Sequence, residues 1–286
     1  MEPEKRIISE PLYSIREAAR KAMKGHMPML SVSAALAFIC FSLPITIVEQ
    51  ITGLWDVMEG AMDDYIAMLS NFSYAAINDW AEAYSGDIGF SFASFLFVLL
   101  VPGPLTLGLS QIWLNVIRGK QAYADMIFSG FGEFLRIVAM DTLRRIFMFL
   151  WAILLIVPGV IAYYRYSQAF FLMADNPKMK AFEALSHSKY YMRQNKSSRF
   201  FLDLSFVGWF AVSAIAYYFI NGIILAIILA AGYDVTIFTQ FLVTSIAGSF
   251  IFAPVCAYRG VAAAEYYHRV ICKNPQSFGD LPELPE

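Results

Sequence analysis

Apolar runs of bilayer length alternate along this chain with short polar segments, and the polar segments differ in sign. Residues 1–28 are polar and basic. Ser14 and Glu17 have the spacing of a capping box, which predicts a helix start. That helix places Ile15, Ala18, Ala19, Ala22 and Met23 near one face and Arg16, Arg20, Lys21 and Lys24 largely on another, with Gly25 as its stop. Such a segment suits the surface of an anionic bilayer, or serves only as a flank that sets orientation. Residues 29–48 are apolar throughout, about the 20 residues a span requires, and Pro44 should kink the run near its end. Residues 49–88 form an acidic loop holding Glu49, Asp56, Glu59, Asp63, Asp64, Asp79, Glu82 and Asp87 and no base. Trp55, Met58, Met62, Tyr65, Ile66 and Leu69 recur within it at helical spacing, which predicts a helix on the membrane or across the bundle end.

Residues 89–116 form a second span, interrupted by Pro102-Gly103-Pro104. An interfacial helix over 121–135 carries Tyr123, Ile127, Phe131 and Phe134 on one face, weakened by Gly130 and Gly132. A second amphipathic helix over 177–195 is predicted to start with Asn176 as N-cap and Pro177 in its first position. It sets Phe182, Leu185 and Met192 against Lys180, Glu183 and Lys189. Residues 200–231 and 236–257 are further spans, joined by a short acidic loop at Gly232-Tyr233-Asp234. Tyr258 to Val270 should extend the last helix, and 273–286 is a Pro-rich acidic tail of disordered composition.

The distribution of bases orients these elements. All 21 lysines and arginines avoid the stretch between Lys24 and Arg118 and the stretch between Arg199 and Arg259. Basic segments stay on the cytoplasmic side of a bilayer, so both termini are expected there. A single crossing between Arg145 and Arg165 would strand Arg165, Lys178, Lys180, Lys189, Arg193, Lys196 and Arg199 outside. Residues 137–174 should therefore leave and return on one side. The expected apex is Pro158-Gly159, with legs at 137–157 and 160–174, as a full hairpin or a re-entrant wedge. A weak repeat links Leu-Val-Pro-Gly at 100–103, followed by Ser110-Gln111, to Leu-Ile-Val-Pro-Gly at 155–159, followed by Ser167-Gln168.

Composition agrees. Of 286 residues, 58% are hydrophobic and 15% charged, and mean hydropathy is +0.55. Soluble domains average about 45–50% apolar and about 25% charged, so a lipid-facing surface accounts for the excess. A net charge of −2 offers no general field for nucleic acid. Cys40, Cys256 and Cys272 are dispersed, as are His26, His187 and His268, so neither a disulfide framework nor a metal site is expected. The polar start lacks a signal-peptide pattern, and the first span reads as a retained anchor. The expected domains are 1–28, a single transmembrane unit over 29–272, and the tail 273–286.

Residues 145–192 run from Arg145 through Leu150-Trp151, Val157-Pro158-Gly159-Val160 and Tyr166-Ser167-Gln168 to Ala174-Asp175-Asn176-Pro177, Glu183-Ala184 and Ser188. Leu204-Ser205-Phe206-Val207-Gly208-Trp209 comes next. This resembles a bacterial family of multi-pass membrane proteins, domain of unknown function nine hundred seventy-five. Its pattern runs Leu-Trp, an apolar Pro-Gly-Ile segment, a Tyr-Ser-Tyr-like stretch, Ala-Asp-Asn-Pro and a Leu-Ser-Phe-Ile-Gly-Trp run. Arg16-Glu17-Ala18-Ala19-Arg20 is similar to the family's opening. The chain departs from the family at Pro254-Val255, where Pro-Tyr is usual, and in its long acidic loop. The resemblance implies a bacterial plasma-membrane location and brings no activity, cofactor or catalytic residue.

Ionisable groups at membrane depth cost about 2.5–3.5 kcal/mol each on insertion scales, which makes them the candidates for function. Asp141 stands three and four residues before Arg144 and Arg145, the spacing of an intrahelical ion pair. Arg165 and Tyr166, with Asp203 and Arg259, are candidates for a lipid-headgroup site or polar cavity. The plainer alternative is that these arginines snorkel to headgroups beside tyrosines, as in Tyr190-Tyr191-Met192-Arg193 and Tyr266-Tyr267-His268-Arg269. No nucleophile elbow, P-loop or zinc-protease motif occurs. The sequence therefore predicts an all-α polytopic transmembrane bundle of six membrane segments, the middle pair hairpin or re-entrant, with amphipathic interfacial helices. Its expected partners are anionic lipids on the cytoplasmic side. A non-enzymatic role in transport, lipid handling or membrane assembly is the leading expectation, and a lipid-modifying enzyme or its membrane subunit the alternative. Protein partners and oligomeric state stay open.

Overall fold

The computed structural model describes residues 10–51, 92–233 and 235–272, together with residues 60, 62, 64, 66, 78 and 79. Most of the acidic loop, including Trp55, Tyr65 and Leu69 of its expected helix, lies outside the described residues, as does the tail from 273. The described residues are helical, without strands.

Helix α1 spans Leu12–Met23 and α2 Met27–Ile51, separated by a turn in which Gly25 takes φ +88°, a conformation open to glycine. The expected capping box does not form. Pro11, with its fixed extended conformation, occupies the cap position, so Ser14 lies inside the helix and donates to the Pro11 carbonyl at 2.9 Å. Glu17 pairs with Lys21 at 2.9 Å, and that partner holds its carboxyl below the usual range. Ile15, Ala19 and Met23 are buried by the protein itself, so the apolar stripe of α1 is an internal packing face.

Helices α3 (Phe92–Leu100) and α4 (Pro102–Ile117) form one interrupted rod, because Val101 between them stays in the right-handed helical region. A 3-10 segment over Ala124–Glu133 follows. The helix expected over 121–135 thus has 3-10 geometry, and backbone proximity supplies the reason. A Cβ on Gly130 would lie 2.2 Å from the Pro104 carbonyl oxygen, and one on Gly108 2.1 Å from that of Ile127. These two glycines let the segment and α4 meet backbone to backbone.

Helix α5 (Phe134–Leu154) and α6 (Ile156–Arg165) are the two legs of the middle region. The chain breaks at Leu155, which is fully extended (φ −165°, ψ 150°), and not at Pro158-Gly159 as expected. Pro158 falls in the first turn of α6, where backbone N–H groups have no intrahelical acceptor and proline costs nothing. A Cβ on Gly159 would sit 2.9 Å from that of Ala152, so glycine allows the two legs to touch. Helix α7 (Ala169–Asp175) and α8 (Ala181–Tyr191) follow. Asn176 closes α7 and does not open the next helix. Arg136 fixes the intervening turn by donating to the carbonyls of Asn176 (3.1 Å) and Met179 (2.9 Å), which delays α8 to Ala181. There Glu183 accepts from the Lys180 N–H at 3.2 Å.

Helix α9 (Lys196–Leu204) leads through a short turn into α10 (Val207–Ala230), and α11 (Ile237–Tyr267) closes the bundle with a π turn over His268–Cys272. Among the described residues four helical stretches are long and apolar enough to cross a membrane: Met27–Ile51, Phe92–Ile117, Lys196–Ala230 and Phe238–Ile271. Helix α10 is inverted relative to a soluble helix. Ile215 is 70% and Tyr218 73% exposed, whereas its buried residues are the polar Ser213 and Asn221. This is the pattern of a helix suited to lipid on its apolar face, with its polar groups turned toward protein.

Packing is dense in an arginine-rich layer where α1, α4, α7 and the last four turns of α11 meet, and Tyr266 and Tyr267 are wholly buried there. Arg118 grips Asp175 with two bonds of 2.6 and 2.7 Å, and Tyr267 donates to the same carboxylate at 2.9 Å. Tyr266 donates to the Asn195 carbonyl at 2.6 Å. Arg269 bridges Glu10, Glu265 and Ser14, pinning α1 to the π turn that follows α11. These arginines join elements; Arg144, Arg145, Arg199 and Arg259 form a separate group.

Candidate functional site

Two aspartates, Asp141 buried and Asp203 nearly so, each stand beside two arginines. Asp141, on α5, is 1% exposed, and both of its oxygens are used. Oδ1 accepts from Arg144 Nε (3.1 Å) and Nη2 (2.7 Å), while Oδ2 accepts from Arg145 Nε at 2.9 Å. The i,i+3 and i,i+4 spacing stacks all three residues on one helix face. The break before α4 completes this group. Pro102 has no N–H, so the Val98 carbonyl four residues earlier has no helical donor, and Arg145 Nη1 supplies one at 3.0 Å. Gly103 lets the start of α4 approach closely, its Cβ position only 3.2 Å from that of Asp141.

Asp203, on α9, is less well served. Its Oδ1 accepts from Arg259 Nε at 2.8 Å, and Arg199 Nη1 stands 3.2 Å from the same oxygen without hydrogen-bond alignment. Asp203 Oδ2 and Arg199 Nε and Nη1 are buried and have no hydrogen-bond partner. Arg199 is only 5% exposed, and its guanidinium lies 5.8 Å over the ring of Tyr266. Arg259 also donates through Nη2 to the Tyr163 hydroxyl at 3.1 Å.

Between the two groups lies a cavity of about 420 Å³. Arg144, Arg199, Arg259, Tyr163 and Tyr166 form its polar wall; Phe38, Phe41, Leu105, Leu109 and Trp113 form an apolar one. Trp113 lies flat because α11 has glycine at 260, where a Cβ would meet the indole at 2.2 Å. Its buried Nε1 has no partner. Phe38 and Tyr163 are both exposed and sit at the rim, so the cavity reaches the apolar flank of the bundle between α2 and α6. The walls thus combine hydrogen-bond donors, positive charge and greasy surface, a combination with the chemistry to accept an anion attached to an apolar body.

The sequence-predicted residues divide here. Tyr166 and Arg259 line the cavity, and Asp203 anchors Arg259 without lining it. Arg165 is not part of it; its guanidinium lies 5.4 Å from the Trp151 ring. Tyr163 and Tyr166 are three residues apart and share a helix face, while Arg165 points elsewhere. Arg144 belongs to both the Asp141 group and the cavity wall. Arg199 was missed, although its position four residues before Asp203 is the same signal that singled out Arg145. Trp113 and Gly260 had no sequence signal, because their contact joins distant parts of the chain. Among the described residues no cluster of three or more histidine, cysteine or acidic side chains could hold a metal ion.

The fold and site define an all-helical protein with membrane-length apolar helices and an arginine-walled cavity. Residues 153–274, which include α6 to α11, match a family described as protein of unknown function (DUF975). No curated protein and no solved structure matches the chain.

Proposed function

We propose that this is a non-enzymatic component of a bacterial plasma membrane that receives a lipid-like anionic amphiphile from the bilayer. The observation that carries the reading is the cavity itself, in which three arginines face apolar walls and the rim opens on the lipid-facing flank. Guanidiniums, phenols and indole N–H groups bind an anion without transforming it. The basic layer lies on the cytoplasmic side in this reading, with both termini there. The α5–α6 pair is a re-entrant wedge beside four crossing helices. Ten residues give α6 a length of about 15 Å, half a hydrocarbon core, and α5 carries Arg136, Asp141, Arg144 and Arg145.

The lipid reading is tested by purifying the protein into phosphatidylcholine nanodiscs and weighing the retained lipid by native mass spectrometry. The natural chain should hold a tightly bound amphiphile. Leu109→Trp, which fills the cavity, should lose it while helical content is unchanged. Equal retention by both would overturn the reading. Topology is tested separately, with single cysteines in a cysteine-free background: Tyr233→Cys should react from outside and Ser197→Cys only after permeabilisation. Labelling of position 197 from outside would overturn the wedge.

A further inference from the structure

The two aspartate groups beside the cavity carry uncompensated charge; Arg144, Arg199 and Arg259 line it, and Arg145 does not. Arg144, Arg145, Arg199 and Arg259 share Asp141 and Asp203, four cations against two anions. Arginine keeps its proton at any physiological pH, so the excess of two charges cannot be relieved by titration. An anion held at Arg144, Arg199 and Arg259 would balance it.

The buried side-chain atoms of the lining residues that have no partner are all donors. Arg199 holds Nε and Nη1, and Trp113 holds Nε1, buried and unpartnered in side chains that line the cavity. Tyr163 accepts from Arg259, which leaves its own hydroxyl proton to donate. Stacking on Tyr266 and Phe170 fixes the planes of Arg199 and Arg144, at 5.8 and 5.1 Å, without using their N–H edges. A ligand matched to this wall has several acceptor oxygens, no donors to waste and a charge near two. A carboxylate or phosphodiester carries one negative charge; a phosphate monoester carries about 1.5–2 at neutral pH, with three terminal oxygens. The volume of about 420 Å³ holds such a headgroup and its first carbons, and the rim at Phe38 and Tyr163 passes the remaining chain into the bilayer.

We infer that the cavity is selective for a phosphate monoester, carried on an apolar chain. This rests on the lipid-handling reading above and names the ligand class of the same cavity. The experiment uses the full chain in phosphatidylcholine nanodiscs doped with equal amounts of phosphatidic acid, phosphatidylglycerol or oleate. Retained lipid is read by native mass spectrometry and stability by the thermal midpoint. Phosphatidic acid should be held roughly tenfold or more above the other two. Arg199→Gln should abolish that preference. Trp113→Phe keeps the apolar wall and loses only the N–H, so it should weaken the preference severalfold even if the arginine variant fails to fold. Competition by glycerol 3-phosphate as strong as by phosphatidic acid would keep the monoester chemistry and assign it to a soluble source. Equal retention of all three lipids, lost in Leu109→Trp, would overturn monoester selectivity and leave lipid handling standing. Retention of none of them, with no response to glycerol 3-phosphate, would overturn both.

Discussion

Asp141 and Asp203 each sit between two arginines at the same cavity, yet one group is closed and the other open. Asp141 uses both oxygens, and Arg145 reaches beyond it to a carbonyl that Pro102 leaves free. Asp203 keeps one oxygen and two of Arg199's nitrogens without partners. Buried charge is tolerated when every lone pair and proton is matched. The Asp141 group meets that condition with protein atoms alone and so belongs to the architecture. The Asp203 group leaves the condition unmet, and the free N–H groups of Arg199 are the part of it that an anion would complete.

The largest test of this contrast removes the closed centre. Asp141→Ala strands Arg144 and Arg145 without their anion, a loss of about 3–5 kcal/mol. In detergent it should unfold well below the natural protein, by circular dichroism against temperature or denaturant. Asp203→Asn removes a charge whose second oxygen is already idle, and the Arg259 side chain is one-third exposed. Its loss should be about 1–3 kcal/mol. An Asp203 variant as damaged as the Asp141 variant would erase the distinction between the two groups.

A sharper test reads the sign rather than the size. Arg144→Met opens a satisfied pair and should destabilise the lipid-free protein by about 1–2 kcal/mol. Arg199→Met removes an incompletely bonded cation and should be neutral, or stabilising by about 1 kcal/mol. Thermal midpoints of the two variants in the same detergent provide the comparison. A matching loss in both would mean that Arg199 is as structural as Arg144.

How far the sequence carried this picture depends on the range of each interaction. The apolar runs and the basic flanks follow from periodicity and charge, which are local properties. The Asp141 group follows from spacing within a single helix, and the same rule applied to Arg199 and Asp203 would have exposed the open group. The hairpin break did not follow. A proline reads as the end of a helix, but Pro158 sits in the first turn of the next one, and the break at Leu155 is fixed by the approach of Gly159 to Ala152. The delayed start of α8 depends on Arg136, some forty residues earlier. The apolar wall was least legible, since Trp113 needs a glycine on α11 that no local pattern marks.

The smallest effect is expected at the arginine that sequence placed in the site and structure does not. Arg165 is half-buried and lies on the Trp151 ring, outside the cavity wall. Its backbone carbonyl, not its guanidinium, is tied into the fold, through the Ser188 hydroxyl at 2.9 Å. Arg165→Gln keeps that carbonyl and gives up only a cation–π contact, about 0.5–1 kcal/mol at a partly exposed position. Retained lipid should match the natural protein, and the thermal midpoint should fall by a few degrees at most. Loss of bound lipid in this variant, at unchanged stability, would mean that Arg165 reaches the ligand by a path the cavity walls do not define. The functional boundary would then run through both faces of α6 and not only the face of Tyr163 and Tyr166.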